Sequence, residues 1–327
     1  MASSKHIVVL DAFTTNPGDT SWEPIASLGE LVTYDRTPPE LVVDRCRNAD
    51  VVITNKTRIG AAELASLPGL RGICVLATGY DVVDVAAARA RGIPVCNVPE
   101  YSTPSVVEHT FALLFELYRQ VGMHAALVRE GEWARSADFS FWRTPQLELS
   151  GRTLGIVGYG SIGRAVARVA LAFGMRVIAT RSRRNPPDPG VTAVDVNRVF
   201  AEADVVSLHC PLTEATKGLV RWERLVTMKR RAVLLNTARG GLVNEADLAR
   251  ALREGVIAGA AVDVLSSEPP SLDNPLLSAP RIVITPHLAW ATPEARGRLI
   301  AVTAENVRGI LTGSPVHVVN PGATAEG

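Results

Sequence analysis

RTLGIVGYGSIG, residues 152–163, runs from an apolar, β-branched segment into three glycines, Gly158, Gly160 and Gly163. A G-x-G-x-x-G set placed directly after a strand and directly before a helix has a physical reading at each position. Gly158 permits a tight turn, Gly160 lets backbone approach a pyrophosphate, and Gly163 allows close packing of helix on strand. Residues 164–172 continue as a helix, so its N-terminus, with Ser161 and Ile162, turns toward the phosphates. The context predicts a dinucleotide site; the alternative is a glycine-rich turn without a ligand.

Working outward, MRVIAT (175–180), ADVVSLHC (203–210), RRAVLLNTA (230–238), IAGAAVDVL (257–265) and RIVITPH (281–287) read as further strands. Upstream, HIVVL (6–10), ADVVIT (49–54), RGICVLAT (71–78) and IPVCNV (93–98) form an earlier series, with helical segments at 61–67 and 83–90. Strands that are apolar throughout, rather than alternating, imply burial on both faces and a parallel sheet. One long helix is expected over 106–131, followed by a loop carrying Trp133, Phe139, Phe141 and Trp142. A closing helix spans about 293–311, with VHVVN (316–320) trailing it, and could return to the first unit. The fold class is α/β, with two doubly wound, Rossmann-like parallel sheets.

The 327 residues suffice for about two domains. Lys and Arg number 34 against 33 Asp and Glu, which leaves a formal charge of +1 and no single-sign field to hold nucleic acid or an anionic membrane. Cys46, Cys74, Cys96 and Cys210 form no C-x-x-C pair, so neither a disulfide framework nor a metal site is expected. Reduced thiols, an N-terminal apolar run too short for a signal peptide and the short apolar core at 111–118, broken by Glu116, predict a cytoplasmic protein.

An NAD site calls for an acidic residue at the end of the second strand, on the ribose 2′-hydroxyl. Here that end reads Thr180-Arg181-Ser182-Arg183-Arg184. Guanidinium groups suit a 2′-phosphate, so NADP(H) is favoured and NAD(H) is the alternative. The bland reading is a solvated basic loop. Downstream, Arg239 follows LLNTA, Asp263 sits inside GAAVDVL, Glu268 lies just past it, and His287 ends RIVITPH. Clustered beside a nicotinamide, these groups would serve hydride transfer to a 2-keto acid. Arg239 would hold the carboxylate and polarise the keto oxygen, while His287 would donate a proton to it. Glu268 would pair with the imidazole and favour its charged form. Taken singly, His287 is more often a hydrogen-bonded surface residue than a catalyst, Asp263 could cap a helix, and Glu268 could be a loop carboxylate.

GIVGYGSIG, LHCPLTEAT, LLNTARGGLVNEADL, AAVDVLSSEP and TPHLAWAT, in that order, resemble the D-isomer-specific 2-hydroxyacid dehydrogenases along essentially the whole chain. The resemblance implies a catalytic Arg239, Glu268 and His287, with Asp263 orienting the nicotinamide carboxamide and influencing the histidine. It implies a discontinuous, flavodoxin-like substrate domain at 1–99 and 288–327, a dinucleotide domain at 100–287, and a cleft between them. Cys210, Pro211, Thr216, Thr237 and Ala238 are expected along the cofactor, and the loop LATGYDVVD would offer the amides of Ala77, Thr78 and Gly79 to the substrate carboxylate. Dimers would form through the cofactor domain. The family usually has Asp where Arg181 stands, which puts plain NAD specificity in doubt. Residues 77–114, DFSFWRTP and Trp290 look most like glycerate dehydrogenases, also called hydroxypyruvate reductases. The implied reaction is hydroxypyruvate plus NADPH to D-glycerate, with glyoxylate a second substrate.

Several residues keep two readings. Lys56 could attract an anionic substrate or be a surface lysine, and Trp142 could line a partner's active-site mouth or pack in an interface. His109 is expected to be a hydrogen-bonded histidine between the domains. Cys210 lacks a base and receives no catalytic role, and Asn97 and Ser102 flank the expected hinge. A 3-phosphoglycerate dehydrogenase, with Lys56 and Arg58 near the phosphate, and a nucleotide-sensing corepressor-like protein are the competing functions.

Overall fold

A computed structural model describes residues 5–180 and 186–322. The chain divides into two compact units, Met1–Ser102 with Ala291–Gly327, and Thr103–Trp290. The boundaries fall slightly past the expected ones, at 102 against 99 and 290 against 287, because the second unit opens with a helix that begins at Thr103.

The first unit holds β1 (His6–Val9), α1 (Glu23–Ala26), β2 (Glu30–Thr33), α2 (Val42–Cys46), β3 (Val51–Thr54), α3 (Ala61–Ala65), β4 (Gly72–Val75), α4 (Val85–Ala90) and β5 (Val95–Cys96). Its strands run parallel in the order β2-β1-β3-β4-β5, the flavodoxin-like winding. Every residue of β3 and β4 is buried, the consequence of covering both faces of a parallel sheet.

The second unit holds α5 (Thr103–Arg119), α6 (Val121–Arg129), β6 (Thr153–Val157), α7 (Ser161–Ala172), β7 (Arg176–Thr180), β8 (Val191–Val194), α8 (Val196–Glu202), β9 (Val205–Leu208), α9 (Trp222–Leu225), β10 (Val233–Asn236), α10 (Glu245–Glu254), β11 (Gly259–Val262) and β12 (Ile282–Ile284). The seven strands are parallel in the order β12-β11-β10-β9-β6-β7-β8, so the winding reverses between β6 and β9. Two buried clusters cover the faces of this sheet. One is centred on Phe200, Leu234 and Leu248, and the other on Phe111, Tyr118 and Ile156. The closing helix α11 (Pro293–Thr312) belongs to the first unit, where the Ile310 side chain lies against the Cα of Gly72 so closely that a Cβ there would come within 2.6 Å of it.

Two sequence expectations are corrected. The long helix over 106–131 is two helices, because Gln120 takes a left-handed conformation with φ 44° and ψ 49°. Helix α5 buries a continuous face from Ser105 to Tyr118, whereas no residue of α6 is buried, so nothing holds the second segment in line with the first. β11 ends at Val262, which puts Asp263 on the connection after the strand rather than inside it. The tail at 316–320 trails the closing helix, as expected, and makes one antiparallel bridge, Val318 to Cys96. Among the described residues, no helix is long and apolar enough to cross a membrane.

Candidate active site

The glycine loop leaves β6 and enters α7, with Gly160 as the cap residue. Gly158 has φ +101°, and a Cβ there would meet the Cys210 backbone nitrogen at 2.4 Å. That position needs glycine twice over, for its conformation and for the approach of the chain leaving β9. A Cβ on Gly163 would lie 2.2 Å from the Gly158 carbonyl oxygen. Gly160 differs: among the described residues nothing comes within 4 Å of a Cβ built there. Two glycines are thus required by the protein itself, while the third has no described neighbour and stands beside the N-terminus of a 12-residue helix. Exposed backbone of this kind fits a pyrophosphate, since first-turn amides lack intrahelical acceptors and the helix dipole favours negative charge.

The Gly158 amide donates to Thr180 Oγ1 at 2.9 Å, joining the loop to the end of β7. Arg181, Ser182 and Arg183 lie outside the described residues. Beyond them Asp188 accepts from Tyr159 Oη at 3.0 Å and from Arg164 at 2.6 and 3.2 Å, which holds its carboxyl below the ordinary range. At the end of β9, the Thr216 hydroxyl is spent inside its own turn, on the Pro211 carbonyl at 2.7 Å and the Thr213 amide at 2.8 Å. Burial pushes the Cys210 thiol up. Burial also lowers His209 to about 4, so it is neutral, with Nε2 on Ser207 Oγ at 2.8 Å.

β10, β11 and β12 are neighbours and parallel, so the residues after them gather along one carboxyl edge, where open α/β sheets bind ligands. At the end of β10, buried Asn236 clips the chain that follows: Nδ2 donates to the Arg239 carbonyl at 2.9 Å and Oδ1 accepts the Ala238 amide at 3.1 Å. Thr237 Oγ1 lies 3.2 Å from Thr110 Oγ1 of α5. Arg239 is exposed, and its guanidinium donates to the Ala238 carbonyl at 2.7 Å.

After β11, Asp263 is 1% exposed and fully engaged. Oδ1 accepts from Thr285 Oγ1 at 2.6 Å and the Leu288 amide at 2.9 Å, and Oδ2 accepts the Ala289 amide at 2.9 Å. Burial alone would raise this carboxyl, but hydrogen bonds from His109, Thr285 and the two amides outweigh it and hold the group below the ordinary range. The Asp263 carbonyl takes the His287 amide at 2.8 Å. His287 itself sits at φ +52°, a left-handed conformation that non-glycine residues keep only where their surroundings enforce it.

Glu268 and His287 are brought together: Oε2 and Nδ1 are 2.6 Å apart, while Glu268 Oε1 accepts the Leu265 amide at 3.0 Å. A carboxylate can only accept, so the proton lies on Nδ1 and the ring's Nε2 is turned away from Glu268. The side chains are 28% and 34% exposed, reachable by a small molecule yet partly shielded. His109 is hydrogen-bonded, as expected. It bonds inside the second unit, with Nε2 at 3.0 Å from Thr285 Oγ1 and 3.4 Å from Asp263 Oδ1. His109, Asn236 and Thr285 were not singled out as site residues by sequence. A polar side chain ending an apolar strand, as in LLN, was the one available signal.

In the first unit, Ala77, Thr78 and Gly79 follow β4. The Val98 amide donates to the Ala77 carbonyl at 3.0 Å, and Thr78 Oγ1 donates to the Val98 carbonyl at 2.9 Å. Asn97 Nδ2 donates to the Thr78 carbonyl at 2.7 Å, and Asn306 Nδ2 of α11 donates to the Asn97 carbonyl at 2.8 Å. Asn97 is therefore a brace for this loop. Asp11, after β1, accepts the amides of Asn55, Lys56 and Thr57 at 2.6–2.7 Å and fixes the backbone of the Lys56 loop, leaving that side chain exposed.

Residues 111–289, within the second unit, match the family model described as D-isomer specific 2-hydroxyacid dehydrogenase, NAD binding domain. The chain is 44% identical over 319 residues to a hydroxypyruvate reductase of Blautia hydrogenotrophica, covering 96% of this chain and 99% of that protein. It is 43% identical to a glycerate dehydrogenase of Methylorubrum extorquens, over 89% of this chain and 92% of that one. Among solved structures, an NADPH-dependent glyoxylate/hydroxypyruvate reductase of Sinorhizobium meliloti, in complex with NADP and malonate, superposes with a TM-score of 0.84 at 30% identity, covering 98% of each chain.

Proposed function

Because the chain belongs to the D-isomer specific 2-hydroxyacid dehydrogenase family, a family of nicotinamide-dependent oxidoreductases, we propose that it reduces hydroxypyruvate to D-glycerate, and glyoxylate as a second substrate. The observation that carries the reading is the 2.6 Å His287–Glu268 contact on a loop that buried Asp263 holds. When bound, the reduced nicotinamide supplies the hydride to the keto carbon. Arg239, as a planar fork, binds the substrate carboxylate and polarises the keto oxygen. His287 Nε2 gives its proton to that oxygen, which becomes the product hydroxyl. Glu268 keeps the imidazole in the orientation with Nδ1–H toward itself and balances the ring's charge before the transfer. Asp263 fixes the backbone that carries the ring. The loop at 77–79, braced by Asn97, offers backbone amides to the carboxylate.

Gly158, Gly160, Ser161, Ile162 and Gly163 would hold the pyrophosphate, with Thr237, Ala238 and the Cys210–Pro211 turn along the cofactor. Thr216 acts on that turn from inside it. We assign a preference for NADP(H) over NAD(H), supported by the sequence after Thr180, where three arginines stand and no carboxylate does. The partner for assembly is a second copy of this chain. The segment from α6 onward leaves Val121, Trp133, Phe139 and Trp142 between 52% and 91% exposed, an apolar surface suited to a subunit contact. A cytoplasmic setting is supported by four unbridged cysteines.

The test is steady-state turnover of hydroxypyruvate by the wild type and His287→Ala, with cofactor binding followed in parallel. Turnover should fall by about 10³-fold, with cofactor affinity retained. Full activity in the variant would remove His287 from the mechanism.

A further inference from the structure

Helix α5 carries a polar stripe that no part of the reaction described above uses. Ser105 and His109 are four residues apart and so share a face, with Thr110 beside them. Ser105 Oγ donates to the Ala289 carbonyl at 2.5 Å, His109 Nε2 meets Thr285 Oγ1 at 3.0 Å, and Thr110 Oγ1 meets Thr237 Oγ1 at 3.2 Å. One helix thereby reaches the connections after β10 and β12, and the buried carboxylate after β11.

The protons can be assigned. Thr285 has a single hydroxyl proton, and it goes to Asp263 Oδ1 at 2.6 Å. Thr285 must then accept at its contact with His109, so His109 Nε2 carries a hydrogen. The same Nε2 lies 3.4 Å from Asp263 Oδ1, a negative oxygen. The reverse tautomer would set a ring lone pair against that carboxylate and leave Thr285 without a donor. Resting on the reading of His287 as the proton donor, we propose that His109 is a positioning residue for it. Its Nε2–H orders the Thr285–Asp263 pair, which pins the amides of Leu288 and Ala289 and so holds the loop bearing His287. Glu268 acts on the imidazole ring directly; His109 acts on the backbone beneath it.

His109→Leu removes the donor while filling the space, and His109→Gln keeps an N–H near the position of Nε2. Hydrogen exchange of the peptide spanning 285–290 is followed in the protein without cofactor or substrate. His109→Leu should exchange about tenfold faster there, with the rest of the second unit unchanged, and His109→Gln should stay near wild type. In steady state, kcat for hydroxypyruvate should fall about tenfold in His109→Leu with KM within about twofold, and His109→Gln should recover it to within about threefold. Thr285→Val, which removes the relaying hydroxyl, should reproduce the exchange result and serves as the second variant if His109→Leu does not fold. Unchanged exchange in His109→Leu, or equal impairment by Leu and Gln, would overturn the proposal. The exchange result is independent of turnover, so a wild type inactive on 2-keto acids would count against the function alone.

Discussion

Replacing Gly160 by alanine separates folding from cofactor binding. Its backbone, at φ −92° and ψ −161°, is extended and open to any residue. A Cβ there has no described neighbour within 4 Å. At a cap position the change costs a few tenths to about 1 kcal/mol, and the smaller entropy of the unfolded chain offsets about 0.4–1 kcal/mol of it. The melting temperature should therefore move by no more than about 2 °C. Bound phosphate is affected differently, because a methyl group would stand where backbone alone allows close approach. Losing one charge-assisted amide–phosphate hydrogen bond, worth about 1.5–3 kcal/mol, weakens binding about 10- to 100-fold. Titration of NADPH by fluorescence, alongside a thermal melt, reads both quantities. Gly158→Ala is the contrast: at φ +101°, with a Cβ 2.4 Å from the Cys210 nitrogen, it should lower stability by about 3 kcal/mol or more. Wild-type affinity in Gly160→Ala would refute the placement of the phosphates over this residue.

Arg239→Lys keeps the charge but loses the fork, and should raise KM for hydroxypyruvate about tenfold while lowering kcat; unchanged kinetics would place the carboxylate elsewhere. Asp263→Asn sets an amide NH2 among hydrogen-bond donors and should lower the stability of the second unit by about 2 kcal/mol at neutral pH. Because Asp263 is held below the ordinary carboxyl range, its contribution is present above about pH 4 and is lost as pH falls through its depressed value. Acid unfolding of the variant should accordingly be less steep, and parallel curves would deny the carboxylate that part. Arg181→Asp should shift the preference from NADPH toward NADH, measured as the ratio of kcat/KM; an unmoved ratio would make the basic cluster a solvated loop.

Much of this site is legible in the sequence because its parts follow short, mostly apolar strands. VVSL, VLLN and GAAV can only be central strands, and whatever polar residue follows them lies on the carboxyl edge. Arg239, Asp263 and His287 announce themselves in this way. The edge strands β2 and β8 do not: β2 alternates little and is mostly exposed, and β8 is partly exposed, so neither stands out from its surroundings. The break at Gln120 is equally silent, since the apolar periodicity runs through it and only the loss of a burial partner ends the first helix. Nor can spacing reveal the partner of a polar side chain. His109 meets Thr285 across 176 positions, and Asn97 braces the Thr78 loop through contacts with α11 that only the folded unit supplies.

The most direct measurement is the initial rate of reduced-cofactor consumption with hydroxypyruvate, comparing NADPH with NADH, and with glyoxylate and pyruvate alongside. Rapid oxidation of NADPH by hydroxypyruvate, slower oxidation of NADH and measurable turnover of glyoxylate are expected. Absence of consumption with every 2-keto acid tried, in protein that binds NADPH, would contradict the assignment of Arg239, Glu268 and His287 to keto-acid reduction.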